Sequence, residues 1–159
     1  VGHGQLDPML QRDARVISME GTNARYLTPD MTGAICDIAV SDLSFISQAL
    51  IYPTVRANVK DGGIFISLIK PQFEAGKEKV GKKGVVRDPD VHEEVVERIF
   101  NMMLELGVTV LHLDYSPIKG PEGNIEYLIH IRKTENAENL CEMTPEKIVE
   151  LSHSALKEV

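Results

Sequence analysis

The chain has 159 residues and a mass of 17.6 kDa, enough for one ordinary α/β domain and too little for two. Hydrophobic residues at 43% and charged residues at 26% supply a core and exclude a disordered chain, while 5% aromatics and no Trp weaken any reading built on a stacking platform. The net charge of −7 is unevenly placed: residues 77–87 carry a net +4, and the chain from Thr134 onward a net −4.

In chain order, Ala14–Met19 and Ile35–Val40 are short apolar runs rich in β-branched residues, as strands require. The spacing of Ile46, Leu50, Ile51, Val55 and Val59 predicts a helix that stops at Lys60-Asp61-Gly62-Gly63. Gly63–Ile69 then reads as a buried strand ending on Lys70-Pro71. Asp88-Pro89, an N-cap residue before a proline at the first helical position, opens the clearest helix. Its core face is read from Val91, Val95, Ile99, Met102 and Leu106, and Gly107 suits its exit. Val108–Leu113 and Ile125–Ile131 follow as strands, and Thr144-Pro145-Glu146 opens a last amphipathic helix with Ile148, Leu151 and Leu156 inward. No apolar run approaches the roughly 18 residues of a membrane span. Alternation of strands and helices predicts an α/β fold with a parallel-type sheet covered on both faces. Chemistry in such folds gathers at the carboxyl ends of the strands.

That rule directs attention to Asp42 and Lys70, each just beyond an apolar run. Asp42 is either a helix cap or a carboxylate held at the active rim. Lys70 is either a snorkelling surface amine or a general base positioned by nearby acids. Glu126, between Ile125 and Tyr127, joins them only if it points toward Lys70; otherwise it faces water on an alternating strand. Gly76–Gly84 combines three glycines with four lysines, which suits a solvated loop and equally a phosphate-contacting lid. Cys36 and Cys141 lie far apart without CxxC spacing, so reduced thiols in a cytoplasmic protein are expected. The five histidines show no ligand spacing, and no metal site is expected. A start at Val, without a basic segment before an apolar stretch, predicts no signal peptide and a chain cut from something longer.

Four segments carry a resemblance: Ser41-Asp42-Leu43-Ser44-Phe45-Ile46-Ser47, Ile69-Lys70-Pro71-Gln72-Phe73-Glu74, Gly84-Val85-Val86-Arg87-Asp88-Pro89, and residues 116–126 from Ser116 to Glu126. Together they resemble the TlyA family of hemolysin-named, FtsJ-type RNA ribose 2′-O-methyltransferases. The resemblance implies an N-terminally truncated Rossmann-like methyltransferase fold over residues 1–133, with 134–159 as an acidic helical extension. It implies S-adenosylmethionine as cofactor and ribosomal RNA, or a ribosomal subunit, as partner. Asp42, Lys70 and Glu126 then correspond to three members of the family's Lys-Asp-Lys-Glu tetrad. Gly2, Asn23, Asp42 and Leu43 correspond to cofactor contacts, with Asn23 near the adenine. Lys77, Lys79, Lys82, Lys83, Arg87 and Lys119 would meet RNA phosphates. The family's glycine-rich cofactor loop, the tetrad's first lysine and an S4-like RNA-binding module have no counterpart in these 159 residues. The implied expectation is a C-terminal portion with a split sheet that binds cofactor poorly alone. The other readings are a non-catalytic RNA-binding module and, least favoured, a membrane-active hemolysin, which lacks an apolar span or a strongly basic amphipathic helix.

Overall fold

The computed structural model describes residues 3–156. Two short helices, α1 (Pro8–Arg12) and α2 (Pro29–Thr32), precede the sheet, with a 3-10 turn at Ala24–Tyr26 between them. The main elements are β1 (Cys36–Ser41), α3 (Gln48–Asn58), β2 (Val59–Ile69), α4 (Pro71–Glu74), α5 (Pro89–Glu105), β3 (Val108–Tyr115), β4 (Tyr127–Lys133) and α6 (Pro145–Ala155). Proline at the first turn of α1, α2, α4, α5 and α6 fixes where each begins, because its missing N–H has no helical partner there.

The four strands form one sheet in the order β1-β2-β4-β3. β1 and β2 run parallel, as expected of a parallel-type sheet, and β4, antiparallel to both β2 and β3, makes the sheet mixed. The covering is also one-sided among the described residues. Phe65, Ser67 and Ile69 of β2 are buried beneath the helices, whereas Ile38 and Val40 of β1 are 58% and 77% exposed. Register places Ile38 beside Ile64 and Val40 beside Ile66, so these side chains share the open face.

The covered face packs on α3, α5 and α6, with Ile69, Val96, Ile99, Met103, Tyr127 and Ile129 fully buried between. The α5 stripe is turned slightly from the expected one: His92, Val96 and Met103 are buried, while Met102 and Leu106 are only partly covered. In α6, Val149 and Ser152 point inward with Ile148, and Leu151 is 37% exposed. The hydroxyl of Ser152 draws that face in by bonding to Tyr127 Oη at 3.1 Å.

Two segments depart from the expected elements. Residues 14–19 form no strand, since nothing pairs with them, and the outer edge of β1 has no neighbour among the described residues. Residues 60–63 do not end a helix in a turn; they belong to β2 and bulge from it, with Cys36 facing Val59 and Ile38 already facing Ile64. The expected split sheet becomes one continuous sheet with β1 at its edge. The other edge is partly covered: Leu140 N donates to Val110 O, and Val110 N donates to Glu138 O, each at 3.0 Å.

Candidate active site

β1 ends at Ser41 and releases Asp42; β2 ends at Ile69 and releases Lys70 at the same rim. Pro71 holds Lys70 extended (φ −113°, ψ 99°) and opens α4 directly behind it. Because β4 is antiparallel to β2, Tyr127 pairs with Ile69, and Glu126 arrives beside Lys70 rather than at the far end of the sheet. Lys70 Nζ lies 2.5 Å from Asp42 Oδ1 and 3.9 Å from Glu126 Oε1. The amine and the glutamate are nearly enclosed, with side chains 11% and 8% exposed, while the aspartate is 70% exposed. One carboxylate therefore anchors the amine from within and the other faces the solvent side.

Several residues that sequence reasoning passed over hold this arrangement. Glu74, whose side chain is 2% exposed, accepts from Ser47 Oγ at 2.8 Å, from Gln48 N at 2.7 Å and from Arg98 Nη2 at 3.3 Å. It thereby ties α4 to the start of α3 and to α5, and so fixes the loops carrying Asp42 and Lys70 relative to each other. Gln72 Nε2 donates to Glu126 Oε1 at 3.0 Å. Asn124 donates to Gly84 O and Pro121 O, each at 3.0 Å, and accepts from Val86 N at 3.3 Å, joining the 84–86 segment to the turn before Glu126. Behind that turn, His92 Nε2 donates to Val86 O at 2.8 Å, which leaves Nδ1 to accept from the Tyr127 hydroxyl at 2.8 Å. Burial is the main cause of both shifts there: His92 is lowered to about 4 and Tyr127 raised to about 12.

Phe45 is the other unexpected feature. It is 83% exposed and holds φ at 62°, a strained conformation for a bulky residue. Its ring lies 4.7 Å from that of Phe73, and both border a cavity of about 510 Å³ with Gln72, Gly76, Lys77, Val80 and Gly84. Aromatic scarcity overall thus conceals a local pair of rings beside the Lys70 rim.

The remaining expected residues divide. Lys79, Lys82, Lys83 and Arg87 line a cavity of about 360 Å³ with Asp88, and Lys79 also pairs with Glu94. Lys77 borders the Phe45 cavity instead. Lys119 is close enough to His153 that its charge helps, after burial, to lower that imidazole's pKa. Leu43 is half-buried next to Asp42. Asn23 is not brought to the rim: its side chain accepts from Arg25 N, and the following turn docks where Thr54 Oγ1 donates to Arg25 O. Thr54 is seven residues along α3 from Ser47, about 10 Å from the rim end of the helix. Gly2 lies outside the described residues. Among the described residues no group of three or more metal-ligating side chains is present.

Ser41 Oγ, at the end of β1, is buried and has no hydrogen-bond partner. An orphaned hydroxyl one residue before an exposed carboxylate and two before half-buried Leu43 fits a ligand with both polar and apolar parts, as S-adenosylmethionine has.

Comparison with known proteins identifies the family. The FtsJ-like methyltransferase family matches residues 1–133. YqxC of Bacillus subtilis, whose name assigns it to the rRNA methyltransferases, is 44% identical over 99% of this chain and 58% of its own length. The 16S/23S rRNA (cytidine-2′-O)-methyltransferase TlyA of Mycobacterium tuberculosis is 42% identical over 83% of this chain and 49% of its own. A solved structure from Streptococcus thermophilus, carrying a hemolysin name, superposes with a TM-score of 0.90 at 40% identity, covering 98% of this chain and 57% of that one. The chain thus spans about half the length of the curated relatives it matches. Among the described residues no helix is long and apolar enough to cross a membrane.

Proposed function

The chain belongs to the FtsJ-like methyltransferase family, and from that membership we propose that it carries the catalytic rim of an enzyme methylating ribose 2′-hydroxyls of ribosomal RNA. The observation that carries the proposal is one nearly enclosed amine, Lys70, held between Asp42 and Glu126 at the carboxyl ends of β1 and β2.

A ribose hydroxyl is a weak nucleophile, and a base that removes its proton as the new bond forms lowers the barrier. Lys70 Nζ is that base. The proton it accepts leaves an ammonium between two carboxylates, which balance its charge and hold its direction. S-adenosylmethionine, when bound, supplies a methyl group on a sulfonium, an electrophile that needs only an aligned oxygen. Ser41, Asp42 and Leu43 would hold it at the end of β1; the family resemblance adds Asn23, away from this rim, for the adenine, and Gly2 among the cofactor contacts. Alignment of the two reactants accounts for much of the acceleration such a site can give.

The RNA reaches the rim from the side of Phe45. Phe45 and Phe73 offer aromatic surface for the nucleobase, and base stacking on one aromatic ring contributes about 1–3 kcal/mol. Lys77, Lys82, Lys83 and Arg87 neutralise phosphates along the adjoining segment, with Lys79 and Lys119 in supporting positions. A ribosomal RNA substrate supports a cytoplasmic location for the whole protein. The family's remaining parts, an S4-like RNA-binding module and the glycine-rich cofactor loop, would complete substrate and cofactor binding in the whole protein.

The test is Lys70→Ala in the whole protein, with methyl transfer from labelled S-adenosylmethionine to ribosomal RNA as one readout and RNA affinity as the other. We expect transfer to fall by about a hundredfold or more while affinity stays within about threefold. Undiminished transfer would overturn the assignment of the base, and an absence of transfer by the wild type would leave the non-catalytic RNA-binding module as the better reading.

A further inference from the structure

Glu126 reaches Lys70 through a seat that two other residues build. Gly120 has φ −71° and ψ −174°, an extended conformation open to any residue, so its backbone does not require glycine. Space does. A Cβ on Gly120 would lie 2.5 Å from Glu126 Oε1, 2.8 Å from its Cδ and 3.3 Å from Oε2. The carboxylate rests directly on the bare Cα of Gly120, whose own N–H is fixed by donating to Asn124 O at 2.8 Å. On another side the same Oε1 accepts from Gln72 Nε2 at 3.0 Å. The amide cannot turn over, because its oxygen would then face the carboxylate oxygen. Gln72 Oε1 is buried without a partner, so this side chain bears a desolvation cost in order to present its donor to Glu126.

We propose that Gly120 and Gln72 are positioning residues that seat the Glu126 carboxylate against the Lys70 amine. The proposal rests on the reading of Lys70 as the base. Neither residue touches the reacting atoms; both act through Glu126. A methyl group on Gly120 meets the far end of a flexible side chain rather than backbone, so the fold survives and the carboxylate is displaced. Loss of position without loss of stability is the signature that separates this role from a merely structural one.

The experiment compares Gly120→Ala, Gln72→Leu and Lys70→Ala in the whole protein by steady-state methylation of ribosomal RNA. Thermal unfolding and the ¹³C resonance of the Glu126 carboxyl carbon at one fixed pH are followed in parallel. Gly120→Ala and Gln72→Leu should each lower kcat by about ten- to hundredfold, with KM for RNA within about threefold and the unfolding midpoint within a few degrees. The Glu126 resonance should move in both. Combining Gly120→Ala with Glu126→Asp, which retracts the carboxylate by one methylene, should recover part of the kcat lost by Gly120→Ala alone. Wild-type kcat or an unmoved Glu126 resonance in both single variants overturns the seating. Full activity in Lys70→Ala instead overturns the reading of the base on which it rests.

Discussion

Ile69 and Tyr127 face each other across the antiparallel junction of β2 and β4, and their chain neighbours Lys70 and Glu126 consequently emerge at one rim. Reversing β4 would carry Glu126 to the opposite end of the sheet, roughly 20 Å away for a strand of this length. The direction of one strand therefore decides whether the amine has one acidic neighbour or two.

The two acids differ in surroundings, so their removal should separate stability from activity. Asp42 is largely exposed, and its pair with Lys70 is screened by water. Asp42→Asn should change stability by no more than about 0.5 kcal/mol. Glu126→Ala strips Gln72 of its acceptor and enclosed Lys70 of its inner neighbour, and should cost about 2 kcal/mol. Both should lose most methyl transfer. Urea unfolding checks the ranking, and a greater loss of stability from Asp42→Asn would contradict it.

Glu74 is the strut between the two loops that carry the site. Its buried carboxylate accepts from a hydroxyl and a backbone N–H at the start of α3 and from a guanidinium on α5. Glu74→Ala orphans the Gln48 N–H and leaves Arg98, among the described residues, only its bond to the Glu74 carbonyl, at a cost of about 2–4 kcal/mol. Methylation should fall even at temperatures where the variant is fully folded, because Asp42 and Lys70 lose their fixed separation. Full activity in the folded variant would show that the loops need no strut.

Acid should weaken the fold through His92. Its pKa is lowered by burial to about 4 from the ordinary 6.5, so below pH 6.5 the unfolded chain takes up a proton that the folded chain refuses. Stability is then complete above pH 6.5 and declines as the pH falls to about 4, by on the order of 3 kcal/mol. His130 and His153 are lowered as well, chiefly by burial, and add to the same decline. Denaturant midpoints measured from pH 7.5 to 4 should fall less steeply for His92→Asn than for the wild type. Equal slopes would mean that His92 does not titrate with folding.

Elements with chemical punctuation were legible in the sequence. Asp88-Pro89 and Gly107 bracket a helix that the structure runs from Pro89 to Glu105, with Gly107 at φ 76°. Residues 14–19 were not, because β-branched content marks a capacity for pairing and not the presence of a partner. The direction of β4 was equally hidden, since an apolar run reads the same in either sense. The closeness of Glu126 to Lys70 was consequently suggested by family resemblance and not by pattern. Glu74 and Gln72 escaped notice because their partners lie 24 to 54 residues away, beyond any local motif.

In the basic segment, local charge opposes the charge of the whole. With a net −7, these 159 residues taken together repel a polyanion, so their electrostatic attraction for RNA has to be local, as in the basic segment around Lys82 and Lys83. Both lysines are exposed and line one cavity with Arg87, whereas Lys79 is already engaged by Glu94. Each phosphate neutralised releases counterions, which sets how steeply affinity falls with salt. Lys82→Ala with Lys83→Ala should weaken RNA binding at low salt and reduce the slope of log K against log salt by about 1.4, as two single-strand phosphate contacts imply. Lys79→Ala should reduce it less, because breaking the pair with Glu94 offsets part of the lost charge. Binding isotherms over a range of salt concentrations check both numbers. A slope unchanged in the double variant would remove this segment from the RNA path and leave Lys77, beside the Phe45 cavity, as the cation nearest the substrate.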